Sequence, residues 1–446
     1  MSSHRGPILI LFASLVIVML GFGIFVPIMP FYVTHFGASG QALGFLMAIY
    51  SVMQFLFAPV WGRLSDRIGR KPVLLLGVAG FGISFTLQAF SQNLTQLFLT
   101  RALAGVLSSA TLPTALAFIA DTTPPSERSS GMGLMGAAMG LGMIFGPLVG
   151  GPLTEMQLPL PPALAGLMQF TTDPSTGAQL NLSLPFLASG LFALITIPIA
   201  AAFLPESLPP ERRQVGRIAG PSRLTLITDA LRGPMAFLFV TSFLLAFAMA
   251  NLESVLGLFS KDRFGMGPSG VGMVMGLIGV LSVIQQGVVI GPLTRWIGEE
   301  RVLRSGLLIS VAGLVGLALA PEIGQMIAMA AVFNAGNALL RPSVASLISQ
   351  RARTGQGVAM GLENSFMSLG RVVGPIWGGL AYDVHGTFPF WTAALIQAVA
   401  FGLSFRLMKQ QAPVEAVIPG LSSGGSPRSS SCLAHPTQDP SSSRLQ

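Results

Sequence analysis

Long apolar runs alternate with short polar breaks along almost the whole chain. A bilayer core of roughly 30 Å needs about 20 apolar residues per helix. Twelve segments reach that length: 7–34, 41–61, 72–91, 94–120, 130–154 and 183–204, then 234–259, 270–292, 302–321, 324–348, 357–382 and 388–408. Residues 205–233 between the two sets begin LPESLPPERRQVGR, too polar and proline-rich to span. The pattern predicts an all-α membrane protein with twelve transmembrane helices in two pseudo-symmetric six-helix bundles. The bundles are residues 1–204 and 234–409, joined by a cytoplasmic linker at 205–233. Residues 410–446 are rich in Ser and Pro, lack an apolar face and read as a disordered tail. The first apolar run is too long for a signal-peptide core and lacks a small-residue cleavage site, so it reads as a retained first span.

Composition agrees with that reading. Half of the residues (51%) are hydrophobic and 9% are charged, with a mean hydropathy of +0.69. Soluble domains carry about 25% charged residues, so this chain cannot cover a water-facing surface. The net charge of +8 would suggest nucleic acid in a soluble protein, but here the cations sort by side. With the N-terminus inside, only Lys261 and Arg263 fall in outer loops, and Arg101, Arg341 and Arg371 fall within spans; the other 20 of 25 gather inside. That is the positive-inside pattern, and an odd span count would scramble it. The expectation is a multi-pass inner-membrane protein with both termini cytoplasmic, and no nucleic-acid partner. The single cysteine, Cys432, rules out an intrachain disulfide. The histidines at 4, 35, 385 and 435 are scattered, so neither a metal site nor an enzyme is expected. No phosphate-binding loop pattern is present to supply ATP drive.

The polar break GRLSDRIGRK, from Gly62 to Lys71, places four cations and one acid between two spans. Gly62 and Gly69 allow tight turns, Pro72 suits the first turn of the next helix, and the cations can anchor at an anionic leaflet. The acid Asp66 can accept hydrogen bonds from a helix N-terminus or pair with arginine. A second motif repeats. Gly142, Gly146, Pro147, Gly150 and Gly151 recur 228 residues later as Gly370, Gly374, Pro375, Gly378 and Gly379. Glycines at 142, 146 and 150 make a smooth ridge that permits close helix contact in lipid. The first motif recurs in degraded form as GPLTRWIGEERVL, where Arg295 replaces the acid and Glu299 and Glu300 replace the basic pair, so an equivalent latch is not expected there. Internal repeats of this kind build many secondary transporters, with a binding site near the midplane.

On these residues the sequence resembles the major facilitator superfamily over about residues 7–408, and within it the twelve-span drug:proton antiporters. The match rests on Gly62, Leu64, Asp66, Arg67, Gly69, Arg70 and Lys71, on the span-five pattern, and on Arg101 with Gly105. Fragments such as LPES at 204–207, KDRFG at 261–265 and GEERVL at 298–303 look like bacterial tetracycline and quinolone exporters. The resemblance implies that Asp66 meets the start of span eleven while Arg70 reaches Asp121, latching a cytoplasmic gate in an outward-open state. It also implies that the span-five motif seals the two halves against leak. The plainer readings are a topology anchor and simple helix packing.

Charges within spans are costly and usually functional. Here they are Arg101, Glu253, Arg341 and Arg371. Glu253 is the one acid well inside a span, and removal from water favours the neutral form of a carboxyl, as a proton carrier needs. A static ion pair with Arg371 is the alternative. In the family, spans one, four, seven and ten line the cavity, which implies that Arg101, Glu253 and Arg341 face it. Soft cavity candidates are Phe22, Phe25, Met29, Tyr32, Tyr50, Gln54 and Asn251. The expected function is proton-coupled efflux of small amphipathic or cationic molecules by alternating access, driven by the proton gradient without a cofactor, in a monomer. The alternatives are a narrow metabolite exporter and a non-transporting receptor or scaffold.

Overall fold

The computed structural model describes residues 5–124, 128–159, 161–173, 176–213, 223–233, 235–352 and 356–410. Twelve long helices run through them: α1 (Arg5–His35), α2 (Gly40–Ile68), α3 (Arg70–Ala89), α4 (Leu94–Thr122), α5 (Arg128–Glu155), α6 (Leu184–Phe203), α7 (Ala236–Phe264), α8 (Pro268–Ile297), α9 (Glu299–Leu319), α10 (Ile323–Arg351), α11 (Gln356–Val384) and α12 (Phe388–Gln410). Eleven of them are long and apolar enough to cross a membrane. The exception is α11, whose apolar residues are diluted by Glu363, Arg371 and a run of glycines. They belong to one compact unit, residues 1–411. Of the expected tail at 410–446, Gln410 ends α12, and residues 411–446, like linker residues 214–222, lie outside the described residues.

Local chemistry explains the breaks. Asn93 accepts a hydrogen bond from Gln96 N at 2.9 Å and caps α4. Gly265, at φ 65°, ends α7 in the left-handed conformation, and Pro268 opens α8. Gly69 (φ 108°) is the entire break between α2 and α3, and Gly298 (φ 82°) does the same between α8 and α9. Gly62 is no turn: the helix runs on through it to Ile68, so most of GRLSDRIGRK is helical. The fold is all-α as expected, with one short hairpin, Phe170–Thr172 paired antiparallel with Gln179–Asn181, in the long loop between α5 and α6. Not every helix is regular. Residues Gln285–Val289 of α8 form a π turn, an irregularity that periodicity does not announce.

Glycine ridges set the packing within each half. Gly142 and Gly146 abut Met19, Leu20 and Gly23 of α1. Gly370, Gly374 and Gly378 abut Phe243, Phe247 and Asn251 of α7 in the equivalent place. Lipid tails are as apolar as leucine, so close backbone approach of small residues supplies the association. Aromatic rings fill the first half, with Phe81 and Phe85 stacked at 4.1 Å and Phe25 against Phe186 at 6.0 Å. The outward faces carry Leu99, Ile195 and Leu395, exposed by 65%, 58% and 66%, which is a surface suited to acyl chains.

Candidate functional site: a chamber sealed at one end

Helix alternation puts Arg5, Gln410 and the Gly69 and Gly298 breaks at one end of the helices, here the basic end, and the α5–α6 loop at the far end. The halves meet at the far end. There the carbonyl of Pro375 in α11 lies against Gly44 of α2, and Gly379 lies against Gly40. In the pseudo-equivalent place, the carbonyl of Pro147 in α5 lies against Gly272 of α8, and Gly151 against Ser269. Pro30 of α1 touches Gly257 of α7, and Lys261 Nζ donates to Thr34 Oγ1 at 2.6 Å. Two carboxylates finish the seal. Asp383 accepts from the backbone N–H groups of Gly40 and Gln41 at 2.8 Å each, and Glu155 accepts from the Ser269 hydroxyl.

The same helix pairs part at the basic end. Gly62 in α2, Gly133 and Gly136 in α5, Gly287 in α8, and Gly357 and Gly361 in α11 each have open space where a side chain would point. The sealed far end and open basic end enclose a chamber. The span-five motif therefore divides its labour: Gly142, Gly146 and Gly150 pack inside their own half, while Pro147 and Gly151 meet the other half. The α8 ridge that faces α5 is Gly272, Gly276 and Gly279, which meet Pro147, Leu148 and Ile144; the sequence reading missed it although its helical spacing was visible.

At the basic end, Arg70 is nearly buried and gathers three groups. It pairs with Asp66 at 2.6 Å, donates from Nε to Asp121 at 3.0 Å, and donates to Ser65 Oγ at 2.7 Å. Asp66 thus bonds within its own half, and residues 356–358 at the start of α11 are exposed. The implied Asp66–α11 contact is not made in this open-ended arrangement. Glu206, from the LPES fragment, caps α3 by accepting from Arg70 N at 2.8 Å and Lys71 N at 3.2 Å. Lys71 Nζ donates to the Ala201 carbonyl at 2.6 Å, while Arg67 is exposed. In the second half the charges are inverted but the pairing persists: Glu300 pairs with Arg351 at 2.6 Å, and Glu299 accepts from Gln350 at 2.8 Å.

The in-span charges lie along the chamber. Glu253 sits one turn from the Gly257–Pro30 contact, partly accessible, with Arg371 of α11 as its charged neighbour. Arg371 is also within electrostatic reach of Arg341 and of Tyr50 in the first half, and Arg341, exposed, neighbours Glu363. Arg101 is different. It is 1% exposed, stacked 3.4 Å over Phe25 and 4.3 Å over Tyr50, and its Nε and Nη1 have no hydrogen-bond partner. It lies behind the wall rather than on it. Among the soft candidates, Phe22 and Gln54 are partly accessible, and Tyr50 is bonded to Ser108 at 3.0 Å. Phe25, Met29, Tyr32 and Asn251 are each 0% exposed. Tyr32 donates to the Gln88 carbonyl at 3.0 Å, and Asn251 donates to the Pro389 carbonyl at 3.0 Å. These four are packing residues, not lining.

The chain is 29% identical over 398 residues to multidrug resistance protein 1 of Bacillus subtilis, covering 89% of this chain and 94% of that one. It is 29% identical over 404 residues to the class D tetracycline resistance protein of Salmonella ordonez, covering 89% and 95%. Among solved structures, a bacterial homologue of the human lysosomal transporter Spinster superposes with a TM-score of 0.74 at 14% identity, covering 90% of this chain and 96% of that chain. The matching family description is that of the Major Facilitator Superfamily, over residues 11–355 and 287–437. The chain is an integral, multi-pass membrane transporter belonging to the Major Facilitator Superfamily.

Proposed function

We propose that this transporter exports amphipathic small molecules in exchange for protons, by alternating access to the chamber between its halves. The basic end is cytoplasmic in this reading, supported by the cation asymmetry, so the arrangement described is inward-open. The observation that carries it is Glu253. Its carboxyl lies one turn inside the far-end seal and takes part in no hydrogen bond or ion pair among the described residues. A carboxyl so placed can hold a proton when the far end opens, release it when the basic end opens, and attract a cationic group once ionised. Phe22, partly accessible and backed by the buried Tyr50 ring at 5.6 Å, offers the cargo an aromatic surface. The similarity to exporters named for multidrug and tetracycline resistance supports efflux.

The test is transport in reconstituted vesicles with an imposed proton gradient, across unrelated fluorescent drugs, with and without an uncoupler. Glu253→Gln is expected to abolish gradient-driven transport while the protein stays folded. Undiminished, uncoupler-sensitive transport by that variant would reject the role. One polar substrate and no drug accepted would favour the narrow metabolite exporter.

A further inference from the structure

The repeat that relates the two halves fails at one place. The α11–α12 connection is residues 385–387, whereas its counterpart between α5 and α6 is residues 156–183. The extra length is folded. Its strands Phe170–Thr172 and Gln179–Asn181 pair, and Asp173 N donates to the Ala178 carbonyl at 2.8 Å to close the hairpin. One side of it is pinned to the first half. Gln92, just after α3, donates to the Leu167 carbonyl at 2.6 Å and accepts from Gln169 Nε2 at 3.0 Å. The other amide atom, Gln169 Oε1, lies 3.1 Å from His35 Nε2 at the end of α1. Asn181 accepts from the backbone N–H groups of Ser183 and Leu184 at 3.0 and 3.1 Å, fixing the hairpin to the start of α6.

The tip reaches the second half. At Gly267, the N-cap residue of α8, the three atoms nearest to where a side chain would sit all belong to the Asp173 carboxyl group. Asp173 is 5% exposed, so this contact is buried. A carboxylate beside a helix N-terminus is favoured by the dipole. Glu155 holds Ser269 two residues further on, so acids from two elements of the first half grip the first turn of α8. Towards α5 the hairpin is loosely seated: a cavity of about 230 Å³, lined by Met156, Leu158, Phe170 and Gln179 among others, lies between them. The hairpin therefore has room to move without dragging α5. We propose that this hairpin is a strap, carried by the first half and fastened by Asp173 to the start of α8, which biases the transporter towards far-end closure. Far-end opening then requires Asp173 to leave Gly267 while Gln169 keeps its hold on Gln92. The second half, with only residues 385–387 in the equivalent place, supplies no counterpart, so the bias is one-sided. The strap goes beyond the exporter reading and rests on it only for alternating access.

A double-variant cycle tests the fastening. Gly267 has φ −78°, a conformation open to any residue, so Gly267→Ala acts only through the space its methyl takes from Asp173. Spin labels at the exposed far-end positions Thr95 and Gln325, in the full chain with Cys432→Ser, report the separation of the halves. Asp173→Ala is expected to raise the far-end-open population about fivefold, the scale of a lost helix N-terminal acceptor. Gly267→Ala should raise it too, and should add nothing in the Asp173→Ala background, where the atoms it collides with are gone. Asp383→Asn, which loosens the α2–α11 side, is the control for opening. Opening in that control but not in Asp173→Ala overturns the strap. An effect of Gly267→Ala that is equal in both backgrounds also overturns it. A far end closed in every variant overturns the strap and alternating access together. The distance measurement needs no cargo, so the expected cycle with no drug transported in vesicles would sustain the strap and sink only the exporter reading.

Discussion

The carboxylate of Asp383, at the end of α11, accepts hydrogen bonds from the backbone N–H groups of Gly40 and Gln41, each at 2.8 Å. It thereby caps α2 from the opposite half of the molecule. Glu155, 228 residues earlier and at the end of α5, reaches the first turn of α8 through Ser269. The repeat that shaped both halves has placed one acid at each of two helix N-termini across the seam, where the helix dipole favours negative charge.

Asp383→Asn removes the charge and one acceptor from that clasp. The expected weakening is about 1 kcal/mol, from the range for helix N-terminal acceptors, or roughly a fivefold shift away from far-end closure. Spin labels at exposed far-end positions Thr95 and Gln325, with Cys432 replaced, report the separation of the halves. Longer distances are expected in the variant. An unchanged distribution removes the clasp from the mechanism of closure.

Two glycines of α2 should respond in opposite ways. A methyl group on Gly44 would collide with the Pro375 carbonyl, so Gly44→Ala should open the seal or lose about 1–3 kcal/mol of stability. Gly62 is helical with open space around it, so Gly62→Ala should match or exceed the parent in melting temperature, by up to about 1 kcal/mol. Thermal unfolding in detergent checks both. Equal loss in the two variants would contradict the packing described.

The four cations of the basic motif are not equivalent. Arg70→Gln strands Asp121 and Ser65 near a buried site and should cost about 1–3 kcal/mol. Arg67→Gln, at an exposed side chain, should stay within about 0.5 kcal/mol of the parent. A large loss at Arg67 would show that an exposed contact matters in another conformation.

Arg101→Met tests a conflict between stability and function. The buried guanidinium gains about 2 kcal/mol from ring contacts, whereas removing an ion from water costs several kcal/mol. The Met variant is therefore expected to melt at the same temperature or higher, yet to transport poorly if the charge shapes the chamber. Lower stability in that variant would mean that Arg101 has partners in another state of the cycle.

The sequence by itself determined the helices. In lipid every backbone polar group must be satisfied within its own segment, so the length of an apolar run fixes a helix with little help from packing. The same run lengths, the cation asymmetry and the 228-residue repeat carried the twelve-helix count, the expected orientation and the family resemblance. The in-span charges were legible too, because a charge among apolar residues stands out. What only the tertiary structure decided was direction. A helix apolar on all sides carries no mark of which face is inward, so Tyr32, Met29 and Asn251 read as cavity lining and proved to be packing. Helix rotation and tilt turned Pro147 and Gly151 to the opposite half, and gave Asp66 to Arg70 instead of α11. Those choices follow from how two bundles lean on each other, which no local stretch of sequence encodes.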